Sequence, residues 1–145
     1  MAGTSAQLSD SLEDYMEAIF HIEMKKHAAR AKDIAERLQV SNSSVTGALR
    51  LLSEKGLVNY APYDIITLTV KGKKVAQRVV WKHQTLRNFF VDVLGVDPEQ
   101  AEETACKMEH GVSKLVLERI HDFSKFLEQA PPEYRAWLDS FKGKE

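Results

Sequence analysis

The sequence contains little cysteine, proline or glycine and no long apolar run. Its 145 residues include one cysteine, four prolines and seven glycines. A single cysteine cannot form an internal disulfide, which fits a reducing compartment and leaves Cys106 available as a thiolate ligand. No stretch reaches the roughly 18 apolar residues of a membrane span. Residues 1–7 lack the basic and apolar regions of a signal peptide, so we expect a soluble, cytoplasmic protein without a membrane partner.

Basic residues are absent from the first part of the chain. Residues 1–23 hold five acids and no Lys or Arg, a charge of −5. Residues 24–87 hold thirteen Lys or Arg against four acids, a charge of +9. Residues 88–145 hold seven basic and twelve acidic residues, which returns the charge to −5. A basic module between acidic flanks favours a polyanion partner for the middle of the chain.

Hydrophobic periodicity predicts helices and then two strands in the first half of the chain. Ser9 or Ser11 can cap the first helix, and Gly56 can end the third in the left-handed conformation. The second and third helices have the pattern of a helix-turn-helix, which the following hairpin turns into a winged helix. The first predicted helix ends at about residue 26, the second covers residues 31–38 and the third residues 43–55. The predicted strands cover residues 57–60 and 65–70 and are joined by residues 61–64.

A long helix over residues 73–94 is predicted to lead from the winged helix into a second, all-helical domain. Asp97 can cap the next helix, with Pro98 at its first position, and this helix is expected to reach His110. Two more helices are predicted at residues 112–129 and 132–141. The expected fold is therefore mainly α, with a winged helix-turn-helix DNA-binding domain and a helical dimerisation and metal-binding domain. The predicted domains are residues 1–72 and 73–145.

One predicted helix of the second domain carries more apolar surface than a small helical unit can bury within itself. We therefore expect a homodimer that buries this face. The face consists of Val112, Leu115, Val116, Ile120, Phe123 and Leu127.

The second helix of a helix-turn-helix pair enters the major groove of DNA, so the expected partner is a double-stranded operator. Hydroxyl side chains hold position more than they discriminate bases, which leaves part of the specificity to DNA shape. The alternatives are a generic helical hairpin and a winged helix that binds protein. The candidate DNA-binding residues are Arg30, Lys32, Ser41, Asn42, Ser43, Ser44, Thr46 and Arg50, with Lys71, Lys73 and Lys74 after the wing as further phosphate contacts.

A thiol, a carboxylate and an imidazole share one face of a predicted helix. Cys106, Glu109 and His110 stand at i, i+3 and i+4. Sulfur, oxygen and nitrogen together suit a first-row divalent transition metal, whereas calcium and magnesium prefer oxygen ligands alone. The alternative is that Cys106 is an inert core thiol and that the other two side chains are solvated.

Two further stretches carry side chains of the ligand type. Asp14 and Glu17 stand at i and i+3 on the first helix, and His83 adds an imidazole in mid-chain. A carboxylate pair on a helix is usually a solvated face. His21 lies near the same face, but a single histidine one turn further on is more often a surface or packing residue.

The winged-helix segments and the candidate ligands together resemble the diphtheria toxin repressor family of metal-dependent transcriptional repressors. The resemblance is strongest to the short two-domain branch of this family, the manganese transport regulators. The resemblance extends over about residues 12–127. The matching segments are residues 13–19 (EDYMEAI), 33–36 (DIAE), 43–46 (SSVT), 68–74 (LTVKGKK) and 82–83 (KH), and Cys106 with Glu109 and His110.

The resemblance implies metal ligands residue by residue. Asp14 and Glu17 resemble the first-helix carboxylates of the manganese branch, and His83 resembles the histidine of the long helix. Glu109 and His110 resemble a ligand pair that the manganese and iron branches share.

The implied ligand set combines features of both branches. Cys106 stands where the manganese branch has a carboxylate and the iron branch a cysteine, whereas the iron branch lacks the acid at Glu17. Manganese(II) gains little from a thiolate, while iron(II) and zinc(II) tolerate or prefer one. We therefore expect iron(II) as the cofactor, followed by manganese(II) and then zinc(II).

The expected function is a metal-activated repressor that controls iron or manganese homeostasis. We expect the ligands to meet at the domain junction, where a cation offsets carboxylate repulsion and orders the dimer for a palindromic operator. One alternative is a metal-independent or thiol-redox-responsive winged-helix regulator. Another is a metalloenzyme, which is disfavoured because the sequence shows no positioned nucleophile or substrate pocket.

Overall fold

The protein, as seen in a computed structural model, is mostly helical and divides into two compact units, Met1–Val80 and Trp81–Glu145. The structure describes residues 8–61 and 65–143. Within them, the first unit contains three helices and two short strands, and a fourth helix runs from this unit into the second. The predicted fold class, mainly α with a small two-stranded wing, is confirmed. The elements are α1 (Asp10–Lys26), α2 (Ala31–Leu38), α3 (Asn42–Glu54), β1 (Val58–Asn59), β2 (Thr67–Leu68) and α4 (Val70–Asn88).

Capping side chains set the starts of α1 and α3. Ser9 Oγ accepts a hydrogen bond from the Leu12 amide at 3.2 Å, and Ser41 Oγ accepts one from the Ser44 amide at 3.2 Å. These bonds satisfy amides that have no partner within the helix. Gly56 follows α3 with φ +71°, a left-handed conformation that favours glycine. The predicted start of α1 and the predicted start and end of α3 are therefore confirmed to within a residue or two.

The core of the first unit lies between α1, the α2–α3 pair and the strands. Burying the apolar faces of α1, α2 and α3 in one core is the main driving force for this packing. The polar residues at the start of α3 stay exposed. The core side chains that are completely buried include Met16, Ile19, Ile34, Val45, Leu49, Leu52 and Ile66.

The wing is an antiparallel pair in which Val58 faces Leu68 and Asn59 faces Thr67. Both strands are shorter than predicted, and a separate bridge joins Ala29 to Ile66. Of the predicted connection at residues 61–64, residues 62–64 lie outside the described residues.

Helix α4 begins at Val70, three residues before the predicted start at residue 73. Thr69 Oγ1 accepts a hydrogen bond from the Gly72 amide at 2.9 Å, and this capping bond explains the earlier start. A Cβ atom at Gly72 would overlap the carbonyl oxygen of Leu57. Glycine at this position therefore allows α4 to pass against the backbone that precedes β1.

Over its described residues, the second unit contains the end of α4, a π-helical segment (Phe89–Val93) and three further helices. A single helix was predicted to residue 94, but its last turn is wound as a π-helix. Asp97 caps the next helix by accepting the amides of Glu99 and Gln100 at 3.1 and 3.3 Å, and Pro98 occupies its first position as predicted. The three helices are α5 (Pro98–Met108), α6 (Lys114–Glu128) and α7 (Pro132–Lys142).

A small core holds the second unit together. Leu86, Ala105 and Leu117 are buried and bring α4, α5 and α6 into contact. Other apolar side chains of α6 remain exposed, among them Leu115, Val116 and Phe123 of the predicted dimer face. None of the helices described here has the length and hydropathy needed to cross a membrane.

Candidate metal centre and DNA interface

The end of α5 presents Cys106 and Glu109 in very different environments. Helix α5 ends at Met108, two residues before the predicted end, but Glu109 keeps a helical backbone conformation and its amide donates to the Ala105 carbonyl at 2.9 Å. Glu109 is completely buried, whereas Cys106 is exposed. The alternative of an inert core thiol beside a solvated carboxylate is therefore wrong.

His83, on α4, contacts both residues. Its Nδ1 lies 2.7 Å from Glu109 Oε2 and 3.8 Å from Cys106 Sγ. His110 Nε2 lies 3.5 Å from Glu109 Oε1. Helix α4 and the end of α5 thus bring three predicted ligands of the second unit, His83, Cys106 and Glu109, into contact, and the fourth, His110, adjoins Glu109.

Glu102 was missed in the sequence. Its Oε1 lies 2.7 Å from His83 Nε2, and its Oε2 lies 2.9 Å from Arg87 Nε. Helical spacing could have found it, because Glu102 precedes Cys106 by four residues and Glu109 by seven. The same spacing places Arg87 one turn after His83.

The donor set of the second unit fits a divalent transition metal. His83, Glu102 and Cys106 each offer a ligand atom, and these atoms all lie within 4.8 Å of one another. Imidazole nitrogen, carboxylate oxygen and thiolate sulfur are the donors that iron(II), cobalt(II) and zinc(II) accept, and the carboxylate oxygen can come from Glu102 or from the buried Glu109 beside His83.

Asp14 and Glu17 lie on α1, in the first unit, and both are half-buried. Glu17 Oε1 is 3.7 Å from His21 Nε2. With Arg37 of α2, these three side chains line a cavity of about 120 Å³. Carboxylates and an imidazole therefore share a face of α1, and the role of Asp14 and Glu17 as ligands stays a prediction.

The start of α3 exposes a chain of hydroxyl groups. Ser41 Oγ donates to Ser44 Oγ at 2.9 Å and lies 3.2 Å from Ser43 Oγ. Thr46 Oγ1 donates to the Asn42 carbonyl at 3.0 Å, so this hydroxyl proton already has an acceptor within the helix. The predicted DNA-contacting residues of α3 thus lie at an exposed helix start that caps itself.

A carboxylate fixes the start of α2. Asp33 Oδ1 accepts from Lys26 Nζ at 3.1 Å, and Asp33 Oδ2 accepts from the Arg30 amide at 3.3 Å. The Lys26 hydrogen bond, helped by the Arg30 amide and by the charges of both residues, lowers the pKa of Asp33. The side chains of Arg30 and Lys32 remain exposed beside it.

The other predicted DNA contacts also lie on the surface of the first unit. Lys71 Nζ donates to the Lys55 carbonyl at 3.3 Å, and Lys73 Nζ is 3.9 Å from Glu23 Oε1. Arg50 and Lys74 are exposed. Contact of these side chains with DNA stays a prediction.

The winged helix and the mixed-donor cluster define a DNA-binding regulator with a metal-type ligand set. Residues 7–65 match the family described as "Iron dependent repressor, N-terminal DNA binding domain". Residues 69–137 match "Iron dependent repressor, metal binding and dimerisation domain". The chain belongs to this family of metal-dependent transcriptional repressors.

Curated relatives support the assignment. An uncharacterized HTH-type transcriptional regulator of Methanocaldococcus jannaschii is 40% identical over 117 residues, covering 80% of this chain and 94% of the relative. The HTH-type transcriptional regulator MntR of Bacillus subtilis is 37% identical over 82% of this chain and 83% of its own length. Because these relatives are transcriptional regulators, the prediction of a regulator rather than an enzyme is confirmed.

Solved structures agree in fold. A manganese-dependent transcriptional repressor in complex with manganese is 31% identical, with a TM-score of 0.73, and the match covers 79% of this chain and 53% of that one. ScaR with bound Zn²⁺ is 28% identical, with a TM-score of 0.67, over 79% of this chain and 54% of that one. The chain therefore spans about half the length of these solved chains.

Proposed function

We propose that this protein represses transcription when a divalent transition metal is bound at the ligand cluster of the second unit, and so controls the level of that metal. The observation that carries the proposal is the buried Glu109 carboxylate held 2.7 Å from His83 beside the exposed Cys106 thiol. The imidazole already gives this carboxylate a hydrogen-bond partner, and a bound cation would further offset the cost of burying its charge.

The proposed ligands of the second unit are His83, Cys106, Glu109 and His110. Asp14 and Glu17 complete the set, as their resemblance to the first-helix carboxylates of manganese regulators implies. A bound cation supplies positive charge that offsets the carboxylates and the thiolate. Ligands from α1 and α5 then favour one arrangement of the DNA-binding units over others.

Iron(II) is the proposed physiological metal, ahead of manganese(II) and zinc(II). Cys106 supports iron(II) over manganese(II), because a thiolate stabilises iron(II) more than manganese(II). The solved relatives with manganese and with Zn²⁺ support a site that accepts several divalent metals.

The proposed operator is palindromic, because a homodimer presents two identical copies of α3 to two half-sites. The dimerisation domain of the family and the exposed Leu115, Val116 and Phe123 side chains support a dimer. The α3 residues Ser41, Asn42, Ser43, Ser44, Thr46 and Arg50 enter the major groove, and Arg30 and Lys32 contact phosphates. Hydroxyl contacts leave part of the sequence preference to DNA shape.

Exchanging the thiol for a carboxylate tests both the ligand set and the metal order. Anaerobic competition titrations would compare iron(II) and manganese(II) binding by the wild type and by Cys106→Asp. We expect the wild type to prefer iron(II) and Cys106→Asp to shift the ratio toward manganese(II). Glu103→Ala is the matched control, because Glu103 lies on α5 but pairs with Lys107 at 2.9 Å. Unchanged iron(II) affinity in Cys106→Ala would remove the thiol from the site.

A further inference from the structure

The two ring nitrogens of His83 face different carboxylates. Nδ1 lies 2.7 Å from the buried Glu109, and Nε2 lies 2.7 Å from Glu102, whose side chain is 53% exposed. An imidazole that binds a metal through one nitrogen usually donates the N–H of the other to a carboxylate, carbonyl or water. The two sides of this ring are therefore open to different roles.

The surroundings of each nitrogen indicate which role it takes. Cys106 Sγ lies 3.8 Å from Nδ1, so Nδ1 faces both a thiol and a buried carboxylate. On the Nε2 side, Glu102 uses its second oxygen to accept Arg87 Nε at 2.9 Å. A carboxylate paired with a guanidinium is held in place as a hydrogen-bond acceptor, and its charge is partly neutralised. Such a carboxylate is better suited to accept a hydrogen bond from a ligand than to bind the metal itself.

The geometry points to Glu102 as a positioning residue that accepts the Nε2–H of His83 and so directs the Nδ1 lone pair toward Cys106 and Glu109, with Arg87 holding Glu102 in place. This role rests on the proposed metal site and adds to it a residue that is not itself a ligand. Glu102 and Arg87 act through the orientation and tautomer of one imidazole.

Loss of such an outer carboxylate typically weakens metal binding 10- to 100-fold. We expect Glu102→Ala to lower manganese(II) affinity by about this factor. Glu102→Gln keeps a side-chain oxygen that can accept the Nε2–H, so its loss is smaller, and Arg87→Gln has an intermediate effect because the acceptor remains but is no longer held. Glu103→Ala, which removes the same charge one residue along α5, leaves the affinity unchanged.

Nitrogen-15 NMR of the full-length protein loaded with cadmium-113 tests the positioning role without any DNA-binding assay. In the wild type we expect cadmium coupling to His83 Nδ1 and an Nε2 proton protected from exchange with water. Glu102→Ala loses the protection while cadmium stays on Nδ1, and Glu102→Gln restores much of it. If Glu102→Ala folds poorly, Glu102→Gln provides a second measurement of Nε2 proton exchange, because it changes this half-exposed side chain less.

Three results would overturn the inference while leaving the proposed function in place. They are cadmium coupling to Nε2, Nε2 proton exchange that is the same in Glu102→Ala and Glu103→Ala, and equal manganese(II) affinity in these two variants. Failure of cadmium and manganese(II) to bind the wild type at His83 contradicts the proposed metal site itself. The two failures are therefore distinguishable in one set of samples.

Discussion

Two glycines of the first unit have opposite surroundings. A Cβ atom at Gly72 would overlap the Leu57 carbonyl oxygen, whereas a Cβ atom at Gly47, inside α3, meets none of the described atoms within 4 Å. We expect Gly72→Ala to lower the free energy of unfolding by about 1–3 kcal/mol, as overpacking does. Gly47→Ala should raise it by up to about 1 kcal/mol, because alanine favours the helix. Urea unfolding measures both, and changes of the same sign would contradict this packing.

Asp33 makes the stability of the first unit depend on acid pH. The Lys26 hydrogen bond lowers the pKa of Asp33 in the folded protein, so its stabilising effect is complete above the ordinary aspartate pKa. The effect is lost as the pH falls through the lowered pKa. We expect the unfolding free energies of the wild type and Asp33→Asn to differ at neutral pH and to converge in acid. Glu36→Gln, at an exposed acid of α2, is the control, and parallel profiles for wild type and Asp33→Asn would exclude the effect.

The candidate metal ligands show which parts of the site could be predicted from the sequence. Cys106, Glu109 and His110 could be grouped from helical spacing, because side chains three and four positions apart share a face. Glu102 could not be assigned a partner, since His83 lies on another helix, 19 residues away in sequence. The burial of Glu109 likewise depends on tertiary packing, which the sequence of α5 does not specify.

At the level of the elements, substitutions of two serines at the start of α3 should affect different properties, one the stability of the protein and the other its affinity for DNA. Ser41 caps α3 through the Ser44 amide, and Ser41→Ala should cost about 1 kcal/mol of stability. Ser43 Oγ lies 3.2 Å from Ser41 Oγ, and Ser43→Ala should change stability by less than about 0.5 kcal/mol. If α3 enters the major groove, Ser43→Ala weakens DNA binding without loss of stability. Thermal unfolding and fluorescence anisotropy compare the two variants, and full DNA affinity in Ser43→Ala would remove this residue from the interface.

Element boundaries were predictable where a local side chain sets them. Ser9, Gly56 and the Asp97–Pro98 pair carry their signals in the sequence, and the structure uses each of them. Helices α1 and α2 also end where predicted, at Lys26 and Leu38, although their caps, His27 and Gln39, have φ values of 68° and 57°, which few non-glycine residues adopt. The π-helical turn at Phe89–Val93 and the short strands lack a local signal, because packing against neighbouring elements decides them.

For the whole molecule, we expect that a charged side chain placed on the exposed apolar face of α6 weakens the proposed dimer. Leu115 is 68% exposed, and burying it in a dimer would remove apolar surface from water. We expect Leu115→Glu to shift the protein to monomers in sedimentation velocity at micromolar concentration and to weaken operator binding. Lys125→Glu, on the same helix, serves as the control for added negative charge. A dimer as stable as the wild type in Leu115→Glu would place the interface elsewhere.

In the proposed function, metal capture by the second unit tightens DNA binding by the first. The most direct measurement is operator affinity, by fluorescence anisotropy under anaerobic conditions, with iron(II) and with a chelator, for the wild type and Glu109→Ala. Coupling between sites is typically about 1–3 kcal/mol, so we expect iron(II) to tighten wild-type binding 5- to 150-fold and to have little effect on Glu109→Ala. Wild-type binding that is equally tight in chelator, or full iron(II) stimulation of Glu109→Ala, would contradict the account.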